Sequence, residues 1–435
     1  MTWTRTRAAS ALALGTASAL LLTACGTEEP EVTGPSRAPV SISVGYYGNF
    51  GLAELEETYE KSHPWVDLTL ETGAYAATHD ALQQAIITGS GAPTVMAIDE
   101  GYITGFVSQP EAFVNMVDMG ANDIKDKFLD WAWAEAANAD QSVVIGIPNN
   151  VYGLALCYRA DLFEAAGLES ERDAVSAAMS GGWEDFISEG QKYFAATGKP
   201  FLDDATTVLN PAVVQLGTGY AYYDKTSTLD IESVKPAFEI ATNVISAELS
   251  ANLPPLTEEW NAELTTDAFA ATLCPQWMLG YIGEKIGAET TTTAKWDVAE
   301  LPGPGGNQGG SFFTLPKGNT EEEQQAGYEF IQWLMEPEQQ VAMMKTTGTI
   351  SAQKALLESE EVKGFTSEFF NGAPYGTIYA ESVTAIPAPV YYAPNNLLVR
   401  TAVEHVLIDI ENGNISIADA WEAAVAAAEA ADLVQ

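Results

Sequence analysis

Four short stretches of this sequence set an aromatic ring beside a carboxylate or an amide. They are Tyr46-Tyr47-Gly48-Asn49, Asp99-Glu100-Gly101-Tyr102, Asn149-Asn150-Val151-Tyr152 and Gln276-Trp277. Rings offer flat apolar faces, and carboxylates and amides exchange hydrogen bonds. Sets of this kind hold a ligand; they do not by themselves break bonds. The three histidines, His63, His79 and His405, are far apart, each in a helical or helix-end context. No H-E-x-x-H, C-x-x-C, G-x-S-x-G or phosphate-binding glycine loop occurs. A pair of carboxylates for glycoside hydrolysis stays open as an alternative in so acidic a chain. No Lys or Arg falls at a predicted strand end, which argues against an anionic ligand. Arg159 lies beyond its strand and Arg400 begins a helix.

The elements that position these residues follow from periodicity. Val40 to Tyr46 alternates apolar and polar residues, as a strand does. Gly48 to Gly51 is a turn, and Leu52, Leu55 and Tyr59 mark one face of a helix that His63-Pro64 stops. Val66, Leu68 and Leu70 give a second strand. A helix runs through Leu82, Ala85 and Ile86 to Gly89, and Pro93 to Ile98 is a third strand. This βαβαβ rhythm predicts an α/β fold with a parallel sheet. In such sheets ligands sit beyond the carboxyl ends of strands, where Tyr46, Tyr47, Asn49, Asp99 and Glu100 fall. Asp99 or Glu100 can accept hydrogen bonds from two hydroxyls, or can cap a helix.

Pro148 cannot donate to a ladder and predicts the end of a strand system, with Val151 to Tyr158 a second, buried strand. Asp161 is placed to cap a helix and Gly167 to end it. The stretch reads either as a crossing between two lobes, with Asn150 at its mouth, or as an ordinary αβ unit inside one domain. Val234 to Ser250 reads as a helix. Phe269 to Trp277 reads as a strand that ends on the indole. Leu301 to Ser311, rich in Gly and Pro, reads as a return crossing, where Gly310 and Ser311 either offer backbone N–H groups or serve only the turn. Helices over Glu321 to Met335, from Pro337 to Gly348 and over Ala418 to Leu433 complete the chain.

The chain has 435 residues and a net charge of -41. That length predicts two domains. The charge excludes binding to nucleic-acid phosphates, opposes an anionic membrane surface and reads as a solubilising coat. At the amino terminus Arg5 and Arg7 precede an uncharged run, Ala8 to Ala24, and then Cys25. This is a secretory signal. Leu22-Thr23-Ala24-Cys25 resembles the lipobox of bacterial lipoproteins, which implies that Cys25 is acylated and anchors the protein to the membrane. Residues 25–39 read as a flexible tether. Outside the cytoplasm Cys157 and Cys274 are either a disulfide or two separate buried thiols.

Taken in order, the lipobox, IPNNVYGLALCYRADLFEAAGL, W-E-D-F, CPQWMLGYIG, LPGPGGNQGGSFFTLPKG, IQWLMEPEQQ and GTISAQ resemble the extracellular solute-binding proteins of bacterial ABC importers, in the group of maltose-binding protein. C-Y-R, C-P-x-W-M, FFNGAPYG and YYAPNN resemble actinobacterial lipoproteins that bind cello- and xylo-oligosaccharides. The resemblance covers nearly all of the mature chain. It implies a two-lobed periplasmic-binding-protein (Venus flytrap) α/β fold with three interlobe crossings. Residues 1–24 are then a signal peptide, 40–147 and 311–361 lobe 1, and 148–310 and 362–435 lobe 2. It implies capture of a di- or oligosaccharide between the lobes, delivery to a membrane permease, no cofactor, no metal, no enzymatic activity and a monomer on the outer face of the cell membrane. Other small solutes, a polyol or an amino acid, are the alternative ligands. It implies pairing of Cys157 with Cys274 and a stacking role for Trp277. It adds Tyr391 and Tyr392, in a Pro-flanked loop, to Tyr46, Tyr47, Asn49, Asp99, Glu100, Asn150 and Ser311 as ligand contacts. The family pattern has an aspartate where this chain has Asn150, and a small residue where it has Tyr152.

Overall fold

The computed structural model describes residues 37–224, 226–287, 294–387, 393 and 395–433. The signal segment, Cys25, most of the tether, Tyr391 and Tyr392 lie outside the described residues. Pro39–Gln435 is one compact unit.

The first strands and helices form where the periodicity places them. β1 (Val40–Tyr47), β2 (Val66–Gly73) and β3 (Val95–Asp99) alternate with α1 (Ala53–Ser62), α2 (Tyr75–Thr88) and α3 (Glu100–Val107). β1 lies between β2 and β3 and is parallel to both, with Val40 opposite Val66 and Val44 opposite Val95. α1 buries Leu55 and Tyr59, and stops at His63 because Pro64 has no N–H to continue it. α2 ends on Gly89, whose left-handed φ of 69° costs a residue without a Cβ nothing.

The remaining strands are β4 (Gly146–Arg159), β5 (Ala271–Pro275), β6 (Trp296–Glu300), β7 (Asn307–Thr314) and β8 (Ile350–Ser351). The sheet order is β2-β1-β3-β7-β4-β5, and β6 and β8 also pair with β4. The expected break at Pro148 is absent: β4 is one strand of 14 residues. Its ladder slips register between Pro148 and Asn150 and again between Val151 and Gly153. A proline is tolerated at such an irregularity because no ladder bond is demanded of it there. The amino-terminal half of β4 pairs with β7 and β8, and the carboxyl-terminal half, from Leu154, with β5 and β6.

Both faces of that second half are buried. Ala155 and Cys157 face a core that runs from Ile42, Val44 and Phe313 to Met278, Ile282 and Trp296. Leu154, Leu156 and Tyr158 face another, with Phe163, Phe186, Phe201 and Val403. A strand covered on both faces reads as a continuous apolar run, which is what residues 154–158 are.

Two other expectations shift. The strand from Phe269 ends at Pro275, and Gln276–Ile286 is a helix, so Trp277 sits in a first helical turn and not on a strand. Pro275 is extended and precedes the turn. The helix expected over Val234 to Ser250 spans Lys235–Ser246, because Glu248 turns left-handed with φ 58°. Asp161 lies inside the first turn of Ala160–Ala166 and does not cap it. Its carboxylate instead takes both Nε and Nη2 of Arg159, at 2.9 and 2.8 Å.

A disulfide joins Cys157 of β4 to Cys274 of β5, 117 residues apart, with a Cα separation of 5.8 Å. Closing so long a loop restricts the unfolded chain strongly. Replacing both cysteines by serine is expected to lower unfolding free energy by roughly 2–5 kcal/mol in a denaturant titration.

The fold also buries carboxyl groups. Asp203 is fully buried and accepts Trp260 Nε1 at 2.8 Å and Asp204 N at 2.9 Å. Burial pushes its pKa up to about 8, with the Asp204 charge adding to it. Burial, then Asp204, pushes Glu411 up to about 7. An unfolded carboxyl titrates near ~4, so the folded chain holds these protons over a window where the unfolded chain has lost them. Their contribution is complete below about pH 4 and is lost as pH rises through about 7 to 8. The melting temperature is therefore expected to fall between about pH 5 and pH 9, and Asp203→Asn to flatten part of that fall.

Candidate functional site

Asp99 is the last residue of β3, and its side chain does two jobs at once. It caps α3 by accepting Gly101 N at 2.9 Å. It also accepts two phenol hydroxyls, Tyr75 at 2.8 Å and Tyr47 at 3.0 Å. Of the two roles weighed for it the helix cap is present, and the hydroxyls it accepts here are the protein's own phenols. Tyr75 and His79 lie one turn apart on α2, so they share a face. His79 Nδ1 meets Tyr75 O at 2.7 Å, and Nε2 accepts Asp99 N at 3.0 Å. Nδ1 therefore carries the proton, and burial lowers the ring's pKa. Tyr102 stacks on His79 at 4.0 Å. Burial, then the Asp99 charge, raises the Tyr47 phenol well above its ordinary value.

Glu100 begins α3. Desolvation pushes its pKa up to about 6, opposed by Arg400 of the helix Asn396–Glu411 and by the Gly309 N–H. Glu135, buried beside it, is raised by burial and then by Glu100 and Asp99. Arg400 thus meets a carboxylate of the first sheet half, a placement that its position in a late helix did not disclose.

A second network holds the slipped part of β4 against β7 and β8. Ser311 Oγ donates to Asn150 Oδ1 at 2.6 Å and accepts Asn149 Nδ2 at 3.2 Å. Gln340 Nε2 donates to Asn149 Oδ1 at 3.1 Å, and Ser351 Oγ donates to Gln340 Oε1 at 2.6 Å. Asn150 Nδ2 donates to Tyr152 Oη at 3.2 Å. Ser311 is 1% exposed, so it positions the two asparagines. Gly310 must be glycine: a Cβ there would stand 2.7 Å from Asn150 O.

Beside these networks lies a cavity of about 530 Å³. Asn49, Tyr152, Gln276, Trp277, Leu279, Gly280, Gly283, Thr347, Gly348, Thr349, Thr366, Ser367, Phe369 and Tyr375 line it. None of these side chains is charged. The partly exposed Trp277 indole donates to Gln308 O at 3.4 Å. Rings, hydroxyls, amides and open backbone without charge hold a neutral polar ligand that also has apolar faces.

The predicted residues therefore separate. Asn49 and Trp277 line the cavity. Tyr47, Asp99, Glu100, Asn150 and Ser311 form the adjoining networks. Tyr46 is 9% exposed and packs edge-on to Phe50 in the core. Gln276, paired with Trp277 in the sequence, also lines the cavity, whereas nothing in the sequence marked Thr347, Phe369 and Tyr375 as contacts. Phe369 and Tyr375 stand inside FFNGAPYG, a motif the family resemblance rests on; Thr347 carries no such signal.

Residues 54–368 match the family described as bacterial extracellular solute-binding protein. Two curated proteins named arabinooligosaccharide-binding protein are each 23% identical to the chain. The one from Halalkalibacterium halodurans aligns over 49% of this chain and 48% of its own length. The one from Bacillus subtilis aligns over 61% of each. The chain thus spans about half to three-fifths of the relatives it matches. A crystal structure of an extracellular solute-binding protein family 1 member superposes with a TM-score of 0.84 at 29% identity, over 90% of this chain and all of the other. The shared architecture is a two-lobed α/β fold.

Ser311→Ala removes one donor and one acceptor at a buried site. It is expected to lower unfolding free energy by about 1–3 kcal/mol, since Asn149 Nδ2 loses its partner. Thermal or urea unfolding reads this directly.

Proposed function

The chain belongs to the bacterial extracellular solute-binding proteins, and we propose that this member captures a neutral di- or oligosaccharide and hands it to an ABC permease. The observation that carries the reading is the uncharged cavity with Trp277 at its wall. A pyranose or furanose ring presents C–H faces that lie on an indole, and a belt of hydroxyls that meet amides, hydroxyls and backbone groups. The curated relatives' names support the same ligand class. The protein binds and releases its ligand without chemical change.

The lobes are residues 40–147 with 311–361, and 148–310 with 362–435. They close about β4, β7 and the chain after Ser351. A ligand can favour the closed arrangement only by binding it better than the open one. Trp277 stacks on the sugar, and Asn49 and Gln276 bond its hydroxyls. Tyr47, Asp99, Glu100 and Asn150 stabilise the wall behind them. Cys25 carries the lipid that holds the protein on the outer face of the membrane, and residues 26–39 are the tether. Among the described residues no helix is long and apolar enough to cross a membrane.

Thermal unfolding of the chain from residue 26 onward against neutral di- and oligosaccharides, polyols and amino acids tests the ligand. A ligand at 100 times its dissociation constant stabilises by roughly 2.7 kcal/mol, a shift of several degrees. Trp277→Ala is expected to weaken the responding saccharide by about ten- to a hundredfold, or ~1.4–2.8 kcal/mol. A shift with polyols or amino acids and with no saccharide defeats the carbohydrate reading. Cys25→Ala is expected to move the protein from the membrane fraction to the medium.

A further inference from the structure

Three consecutive residues of β7 carry three rings from three different elements. Gln308 O accepts the Trp277 indole at 3.4 Å. The next residue, Gly309, lies under Tyr152: a Cβ there would stand 3.0 Å from Tyr152 Cδ2 and 3.7 Å from Trp277 Nε1. Gly310 O accepts the Tyr47 phenol at 3.4 Å. Tyr47 in turn meets Tyr75 edge-on at 5.3 Å. The rings thus stand in the order Trp277, Tyr152, Tyr47, Tyr75. The cavity is walled by Trp277 and Tyr152, and neither Tyr47 nor Tyr75 lines it.

The Tyr152 ring is fixed. Its backbone N–H donates to Asn307 Oδ1 at 3.0 Å, and its hydroxyl accepts Asn150 Nδ2 at 3.2 Å. Asn150 is itself held by Ser311. Behind the ring are Tyr75, 46% exposed, and Asp99, whose carboxylate already accepts Tyr47, Tyr75 and Gly101 N; the open Tyr75 ring is a face of the kind a sugar unit meets. We infer that Tyr152 sets the length of the ligand: its ring closes the inner end of the cavity and withholds one further sugar position beside Tyr47, Tyr75 and Asp99. The inference rests on the carbohydrate reading above.

The test is isothermal titration of the wild type, Tyr152→Ala and Tyr152→Phe with one neutral oligosaccharide series, from disaccharide to hexasaccharide, of the linkage that responds in the thermal screen. In the wild type affinity stops rising at a fixed length. Tyr152→Ala moves that limit up by one unit and shifts the preference for the longer ligand by about tenfold. Tyr152→Phe, which keeps the ring, keeps the wild-type limit. An unchanged limit in a folded Tyr152→Ala overturns the inference. Should that variant not fold, a crystal structure of the wild type with the longest ligand decides: a terminal sugar stopped against Tyr152 supports it, and one passing on to Asp99 overturns it. Failure of the folded wild type to bind any saccharide is a different result, and overturns the carbohydrate reading and this inference together.

Discussion

The structure depends on one strand being shared. β4 contributes to both halves of the sheet: β5, β6, β7 and β8 pair with it directly, β3 pairs with β7, and β1 follows through β3. A strand that changes partners midway must leave backbone groups and side chains imperfectly matched where the change occurs. Here the mismatch falls at Pro148 to Gly153. The amides and hydroxyls of Asn149, Asn150, Ser311, Gln340 and Ser351 fill it with hydrogen bonds. A buried polar network of this kind is worth having only when every member is satisfied. Each of these five has a side-chain partner among the others, which explains why the crossing is rich in amides and poor in charge.

An acidic chain that lines a cavity without charge has to keep its carboxylates away from it, or use them up. Near β3 it uses them up. Asp99 is taken by two phenols and a helix amide. Glu100 faces Arg400 and a backbone N–H. What remains toward the cavity is rings, amides, hydroxyls and glycine backbone. The electrostatic character of the cavity is thus set by interactions one layer behind it.

Much of this was legible in the sequence, for definable reasons. Regular alternation gave β1 and β2, and Gly89 and Pro64 gave helix ends, because those signals are local. The family resemblance implied the two-lobed fold, and the family match agrees with it. Pro148 misled because a proline forbids only one hydrogen bond, and a slipped ladder asks for none there. Trp277 was placed on a strand because Phe269 to Pro275 is apolar, whereas the backbone turns helical directly after Pro275. The partners of Asp99 and Glu100 were out of reach: Tyr75, Gly309 and Arg400 are remote along the chain, and nothing local marks them.

The disulfide has a consequence for how the protein matures. Cys157 is five residues beyond Tyr152 on one strand, and Cys274 is three residues before Trp277 on the next. One covalent bond therefore sits near the base of two of the four rings that line the cavity. In a chain still in its dithiol form, the strand that carries Tyr152 and the strand that leads into the helix of Trp277 are joined only by ladder hydrogen bonds and packing. Oxidation, a chemical event of the compartment beyond the membrane, thus fixes the strands beneath both rings, and the bond marks that the chain has arrived there.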